Sequence, residues 1–266
     1  MIKSLSLLRW VAALRRLLIL LGTSVQAAIA FAVRRAQGPL SLAERSRWLH
    51  SWCRKVIHRL QIEIAKAGQF PDCGLLVCNH LSYVDILALS AGAPCVFVAK
   101  RQVRWWPLFG LLASLGGTIF VDRHRRFDVS GANDRIAEAL RAGVLVILFP
   151  EGTSSDGSTV LPFRPPLFEA AVREQVPVST AHISYAAQDG VVGRDICYWG
   201  AMTFFPHLLR FLSLRKVRVQ LRSESASTIF RDRKEAAAFT RQSILRLAGK
   251  AAGFWQQQTV GTRSGF

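Results

Sequence analysis

The spacing of apolar and polar residues divides the chain into a helical N-terminal part and a longer part with short apolar runs. Residues 17–33 are uncharged and mostly apolar, and residues 42–65 predict a basic amphipathic helix. From residue 74 onward, helical stretches separate several runs of strand length. These runs cover residues 74–78, 95–99, 118–121, 144–149, 177–183 and 217–221. This alternation predicts an α/β domain.

The apolar stretch at residues 17–33 is just long enough to cross a membrane as a helix. Two arginines precede it and two follow it, so the flanking charge gives no orientation. Residues 5–14, interrupted by Arg9, suit a helix in the membrane plane with Trp10 at headgroup level. A tilted span, an interfacial hairpin and a signal peptide cleaved near residues 28–30 all stay open.

The net charge and the composition of the chain indicate which kind of molecule it binds. Its 35 lysines and arginines against 17 acidic residues give a net charge of +18, which attracts polyanions. Half of the residues are hydrophobic, and we find neither a basic recognition helix nor an RNP-like aromatic strand. We therefore expect membrane lipids, and no nucleic acid, as partners. Residues 100–112, which combine tryptophans with arginines, are typical of the headgroup layer.

The same patterns predict the division of the chain. We assign residues 1–40 to a membrane-anchoring segment, residues 41–255 to a catalytic domain and residues 256–266 to a loose polar tail. The five cysteines form no CxxC pair and no cluster with histidine, so no metal site is expected.

His80 and Asp85 are the candidate catalytic pair. His80 follows the apolar run at residues 74–78, and residues 86–89 suggest a helix, so the pattern predicts strand, turn and helix. In the first helical turn, Asp85 can reach one ring nitrogen, fix the tautomer and leave the other nitrogen as a base. No GxSxG pattern accompanies the pair, so the expected nucleophile is a substrate hydroxyl that His80 deprotonates.

The residues around this pair carry a resemblance to a known family. Residues 79–85, NHLSYVD, resemble the NHxxxxD motif of the glycerolipid acyltransferases, the family of 1-acylglycerol-3-phosphate acyltransferase. Three further blocks follow in the family's order: GTIFVDR at residues 117–123, FPEGT at residues 149–153 and VPV at residues 176–178. The resemblance covers roughly residues 74–190, and four ordered blocks make it specific.

The resemblance implies a mixed sheet flanked by helices and a membrane enzyme, on the cytoplasmic face, that acylates a lysolipid. It implies His80 and Asp85 as catalytic residues. It assigns substrate binding to Asn79, Arg123, Glu151, Gly152 and Thr153. The implied donor is a fatty acyl thioester on coenzyme A or acyl carrier protein, used as a co-substrate. No metal or tightly held cofactor is implied.

Two departures from the family pattern bear on the acceptor. Ser154 follows Glu-Gly-Thr where the family commonly has arginine, and Arg164 stands before two prolines where a lysine and glycine are usual. Arg164 is therefore a candidate substitute for the missing cation. The leading acceptor is 1-acyl-sn-glycerol-3-phosphate, in phospholipid biosynthesis, and lyso-ornithine lipid is the alternative. A catalytically inactive membrane-binding scaffold is the second alternative.

Overall fold

The computed structural model of the chain describes residues 6–122 and 126–261, without the side chains at 126–129, 225–227 and 252–261. The strands in these residues are β1 (Ile62–Ala67), β2 (Leu75–Cys78), β3 (Val96–Lys100), β4 (Ile119–Val121), β5 (Val146–Leu148), β6 (Val178–Ala187) and β7 (Val217–Thr228). Together these described strands form one sheet with the order β1-β7-β6-β2-β5-β3-β4. Neighbouring strands run parallel, except β6 and β7, which are antiparallel. The predicted mixed α/β fold is therefore confirmed.

Helices cover both faces of the sheet. The α-helices in the described residues are α1 (Leu7–Ala36), α2 (Leu42–Arg59), α3 (Val84–Gly92), α4 (Phe109–Leu115), α5 (Arg126–Arg141), α6 (Glu169–Arg173), α7 (Val192–Asp195), α8 (Phe204–Leu212) and α9 (Arg233–Gly261). Short 3₁₀ turns occupy Arg101–Trp105 and Pro165–Phe168. The start of α2 follows from its sequence, because Ser41 and Glu44 form a reciprocal capping box.

The core consists of two layers separated by the sheet. Leu76 and Cys78 of β2 face a layer that includes residues of α1, α2, α3 and α8, whereas Leu75 and Val77 face a layer that includes residues of α5, α6 and α9. All four of these residues are buried. A parallel strand covered on both faces requires an uninterrupted apolar run, which is the pattern at residues 74–78. His80 therefore lies two residues after the end of β2, the central strand of the sheet.

α1 is one continuous helix that combines the two N-terminal segments distinguished by sequence. Within the described residues, it is the helix long and apolar enough to cross a membrane by length and composition. One face is buried against the protein, whereas the other exposes a stripe of large apolar side chains. The stripe consists of Leu7, Leu8, Trp10, Val11, Leu14, Leu18, Leu21, Val25, Ile29 and Val33.

Polar contacts fix α1 to the rest of the molecule. The Arg9 guanidinium donates to the Asp189 carboxylate at 2.6 Å, and Arg16 donates to the Leu212 carbonyl at 3.2 Å. From α2, Arg59 donates to the Thr23 hydroxyl at 2.7 Å. These contacts lie between residues 9 and 23, so they attach the first and central parts of α1 to the protein.

The sequence prediction of a helix over residues 42–65 is wrong at its C-terminal end. α2 ends at Arg59, and residues 62–67 form β1, paired in parallel with β7. Gln61 has a φ of 58°, a left-handed conformation that ends the helix. Ile62 and Ile64 alternate with polar residues, which is the period of a strand.

The loose tail predicted at residues 256–266 lies partly outside the described residues, which end at 261. α9 continues through Gly261. Residues 256–258 are three glutamines, and glutamine is a good helix former, so polarity alone was a poor signal for the end of the helix.

Candidate active site

The predicted catalytic pair forms at the junction between β2 and α3. His80 Nδ1 lies 2.8 Å from Asp85 Oδ2. Asp85 is fully buried in the first turn of α3, where its Oδ2 also accepts the backbone N–H groups of Leu81 and Ser82 at 2.7 and 2.9 Å. The irregular turn between strand and helix therefore brings together two residues that a regular helix would separate.

The hydrogen bonds define the state of the His80 ring. A carboxylate only accepts hydrogen bonds, so His80 Nδ1 carries the proton and donates to Asp85. The ring stacks on Phe149, with centroids 4.3 Å apart and planes inclined by 20°. The His80 side chain is 23% exposed and lines the main cavity. Nε2 therefore carries no proton and can accept one. Asp85 holds the ring at Nδ1, and Phe149 packs against one face of the ring.

Glu151 supports the pair from the loop after β5. Its two carboxylate oxygens accept the backbone N–H groups of His80 at 2.8 Å and Leu161 at 3.0 Å. Burial raises the pKa of Glu151, and the hydrogen bond from the His80 N–H partly opposes this rise. In return, the Ser155 N–H donates to the His80 carbonyl at 3.0 Å. The third sequence block therefore fixes the backbone of His80.

The neighbours of Glu151 face the cavity. Gly152, Thr153 and Ser154 all line it. Gly152 has a φ of 78°, a conformation that favours glycine and allows the chain to turn at the end of the strand. The Ser154 hydroxyl donates to the Tyr198 carbonyl, which ties this loop to the segment before α8. Gly152 and Thr153 thus stand where the sequence predicted a substrate contact.

The cavity beside His80 is large and mostly apolar. It has a volume of about 260 Å³ and extends between the sheet edge and the helices of one layer. α1 contributes Leu20, Thr23, Ser24 and Ala27 to its wall. Other apolar wall residues come from α2 and the residue that follows it, and from β3, α4 and α8: Trp48, Leu49, Trp52, Cys53, Val56, Leu60, Phe97, Val98, Phe109, Leu112, Leu208 and Phe211. Such a wall suits an unbranched hydrocarbon chain.

An aromatic rim, formed by Trp106, Tyr198 and Phe204, lines the cavity near His80. The Trp106 ring centroid lies 4.7 Å from that of Phe204 and 6.0 Å from that of Tyr198. The adjacent residue in each of the three segments points outward instead. Trp105, Trp199 and Phe205 are 80%, 41% and 56% exposed.

The remaining predicted site residues occupy other places. Asn79 is buried, and its amide both donates to and accepts from the backbone of Ile183 in β6, so its observed role is to join β2 to β6. Arg164 is exposed before a 3₁₀ turn, where its N–H donates to the Pro150 carbonyl at 3.0 Å. Arg123 lies outside the described residues. The predicted substrate contacts of these three residues stay predictions.

Sequence reasoning missed Tyr185 in β6. Its hydroxyl donates to Asp85 Oδ1 at 2.5 Å, and both residues are buried. The alternation of buried Ala181, Ile183 and Tyr185 on one strand face was a possible signal. This alternation points to the active site only when β6 is known to pair with β2, the strand that precedes His80.

Comparisons with known proteins show the family of this chain. Residues 61–184 match the family model described as Acyltransferase. The lyso-ornithine lipid O-acyltransferase of Brucella abortus is 41% identical over 56% of this chain and 60% of that protein. That of Pseudomonas aeruginosa is 35% identical over 78% of this chain and 81% of that protein.

Relatives with another acceptor also match. The 1-acyl-sn-glycerol-3-phosphate acyltransferase of Neisseria meningitidis is 30% identical over 58% of this chain and 60% of that protein. The crystal structure of the 1-acyl-sn-glycerophosphate acyltransferase of Thermotoga maritima superposes with a TM-score of 0.66 at 18% identity, covering 91% of this chain and 95% of that one. At this identity the superposition establishes the fold alone.

Proposed function

Because this chain belongs to the acyltransferase family, we propose that it transfers a fatty acyl group from a thioester to the free hydroxyl of a lysolipid, with lyso-ornithine lipid as its preferred acceptor. The observation that carries the proposal is the His80–Asp85 pair, 2.8 Å apart, in the wall of a large apolar cavity. The cavity is suited to a lipid chain, and the base stands beside it.

The mechanism follows from the tautomer of His80. Nε2 takes the proton of the acceptor hydroxyl as its oxygen attacks the thioester carbonyl carbon. The tetrahedral intermediate collapses, the carbon–sulfur bond breaks, and the imidazolium returns the proton to the departing thiolate. The products are an ester and a free thiol, and Asp85 stabilises the imidazolium between the two steps. A thioester is already activated, so one base suffices.

The loop at residues 152–154 is the proposed oxyanion site. Its residues line the cavity beside His80. Thr153 and Ser154 belong to no helix or strand, and among the described residues their N–H groups donate to no backbone carbonyl. An N–H group preorganised in a dry cavity stabilises a developing negative charge by several kcal/mol, about 3 for one donor. Both groups are therefore available to the carbonyl oxygen.

The acceptor headgroup is proposed from the polar residues of the cavity wall. The wall carries Ser154 where the family commonly has an arginine, and the exposed Arg164 is not among the wall residues of the described chain. Lys100, at the end of β3, lines the cavity. A single ammonium suits the carboxylate of an amino-acid headgroup, whereas phosphate is commonly held by the guanidinium fork of arginine.

Lysophosphatidic acid is the second candidate acceptor. Arg123 is the last residue of the GTIFVDR block, to which the family resemblance assigns acceptor binding, and the Neisseria relative carries this acceptor in its name. The relatives named for lyso-ornithine lipid reach higher identity, up to 41%. This difference in identity supports lyso-ornithine lipid as the preferred acceptor of the proposal.

The enzyme is associated with membranes through its apolar N-terminal helix. We place α1 in the plane of the membrane, because its inner face and its contacts from Arg9, Arg16 and Arg59 attach it to the protein. The exposed stripe of α1 and the outward residues beside the aromatic rim would then meet the same lipid surface. Tryptophan in the headgroup layer suits this arrangement.

The donor and the membrane face are proposed together. Coenzyme A is polyphosphorylated and acyl carrier protein is acidic, so a net charge of +18 attracts either carrier. All five cysteines are free thiols, which fits a reducing compartment. We therefore propose the cytoplasmic face of the membrane.

The experiment uses the full chain in vesicles with labelled acyl donors and a panel that includes lyso-ornithine lipid and lysophosphatidic acid. We expect acylation of lyso-ornithine lipid with the higher kcat/KM, and loss of all transfer in His80→Ala. Faster acylation of lysophosphatidic acid would overturn the preferred acceptor but keep the enzyme class. Vesicle binding without transfer to any lysolipid would instead support the inactive scaffold.

A further inference from the structure

The two oxygens of the Asp85 carboxylate are in different environments. Oδ2 accepts three hydrogen bonds, from His80 Nδ1 and from the N–H groups of Leu81 and Ser82. Oδ1 accepts the hydroxyl of Tyr185, which comes from β6, one hundred residues further along the chain. Asp85 is 0% exposed and Tyr185 5% exposed, so water cannot take the place of that hydroxyl.

The proton of this contact stays on Tyr185. Burial raises the pKa of Tyr185 well above its usual value, and the adjacent Asp85 carboxylate raises it further. Tyr185 is therefore a neutral phenol that donates to a carboxylate. Hydrogen bonds to a charged group are about twice as strong as those between neutral groups.

We propose that Tyr185 is a positioning residue of the acyltransferase, acting on His80 through Asp85. The backbone donors of Leu81 and Ser82 hold only Oδ2, the oxygen that also faces the His80 ring. Tyr185 holds the other oxygen, Oδ1, and thereby anchors the carboxylate at its second end. It also disperses the carboxylate charge, which tunes how strongly Asp85 attracts the proton of the imidazolium.

The test is Tyr185→Phe, which removes one buried oxygen and keeps the ring. Resting on the proposed acyl transfer, the proposal expects kcat to fall by roughly tenfold to a hundredfold, the effect of losing a hydrogen bond to a charged group. The KM values for donor and acceptor should not change. The acidic limb of the pH profile of kcat/KM should move to higher pH, because a carboxylate with one donor fewer stabilises the imidazolium more strongly.

A double-mutant cycle separates positioning from a general effect on folding. In the Asp85→Ala background, Tyr185→Phe should cause no further loss in kcat, because the carboxylate through which Tyr185 acts is already absent. The proposal would be overturned if the two losses in kcat multiplied in the double variant. It would also be overturned if the pH profile of Tyr185→Phe matched that of the wild type. If Tyr185→Phe does not fold, difluorotyrosine at position 185 alters the donor strength with little change in volume and is assayed in the same way.

A matched control is Thr240→Val in α9. The Thr240 hydroxyl is fully buried and donates to the Ala236 carbonyl at 2.6 Å, so its loss is also that of a buried hydrogen bond. We expect a lower melting temperature with unchanged kcat and pH profile. A pH profile that moves equally in this control would assign the Tyr185 effect to stability and overturn the proposal.

A second readout does not depend on turnover. The ring of His80, labelled for NMR, can be titrated in the wild type and in Tyr185→Phe, and we expect its midpoint to move to higher pH in the variant. An unmoved midpoint would overturn the positioning role even in a protein that acylates no lysolipid. Failure of the proposed function and failure of this inference are therefore distinguishable.

Discussion

Replacing Asp85 by asparagine tests the catalytic pair with little change to the fold. Asparagine has the same shape, and its side-chain oxygen can occupy the position of Oδ2, where it accepts from His80, Leu81 and Ser82. The amide nitrogen then replaces Oδ1, and the Tyr185 hydroxyl can rotate to accept from it. The perturbation therefore removes the charge and leaves the hydrogen-bonding positions filled.

The expected magnitude follows from the distance between the groups. The carboxylate oxygen and His80 Nδ1 are 2.8 Å apart. Their charge centres are thus about 4 Å apart, and two unit charges at that separation interact by about 4 kcal/mol at an effective dielectric constant near 20. This energy stabilises the imidazolium that forms when His80 accepts the proton. Its loss predicts a decrease in kcat of roughly 10³-fold.

The assay is the initial rate of labelled acyl transfer by the full chain in vesicles, with kcat and KM determined for both substrates. We expect the loss to lie in kcat, because Asp85 is buried behind His80 and does not reach the cavity. Thermal unfolding measured beside it should show a folded protein. A folded variant that keeps more than about a tenth of the wild-type kcat would refute the assignment of Asp85 as the charged partner of His80.

Three further predictions concern the cavity, the supporting loop and the membrane surface. Ala27→Trp in the cavity wall should shift the preference toward shorter acyl chains in donor competition, whereas Val25→Trp on the exposed face of α1 should not. Burial raises the pKa of Glu151 in the folded protein above its usual 4.5. The free energy of unfolding should therefore fall as the pH rises from 4.5 through the raised pKa, because the folded state loses a proton that it binds more tightly than the unfolded state. In urea unfolding, Glu151→Gln should remove this pH dependence. Trp105→Ser should weaken binding to anionic vesicles in a flotation assay by roughly tenfold, whereas Ile229→Ser, at another exposed apolar residue, should not. Equal binding of the wild type and both variants would contradict a membrane contact beside the aromatic rim.

The sequence predicted the elements whose pattern is local. All six strand-length runs form strands, and the helix predicted at residues 86–89 lies within α3. β1 was missed because its alternation is short and directly follows a helix of similar composition. Its partner, β7, lies more than 150 residues away, so tertiary pairing decides its structure.

The residues of the candidate site also divide into those whose contacts depend on local sequence and those whose contacts depend on tertiary packing. His80 and Asp85 are five residues apart, and their contact was predictable because one turn determines it. Asn79 belongs to the same motif, yet its amide binds the backbone of Ile183, a contact that depends on which strand lies beside β2. Tyr185 escaped prediction for the same reason. Residues that act through the packing of distant strands leave little local signal in the chain.

The position of α1 has a consequence for work with the isolated enzyme. Its outer face is a stripe of exposed apolar side chains, whereas its inner face supplies Leu20, Thr23, Ser24 and Ala27 to the cavity wall. Truncation before Gln37, the usual route to a soluble protein, would therefore also open the cavity to bulk water. We expect a detergent that covers the outer stripe to leave this wall in place. Solubility is better sought by polar substitutions restricted to the outer stripe, such as at Leu18 or Val25, than by removing the helix.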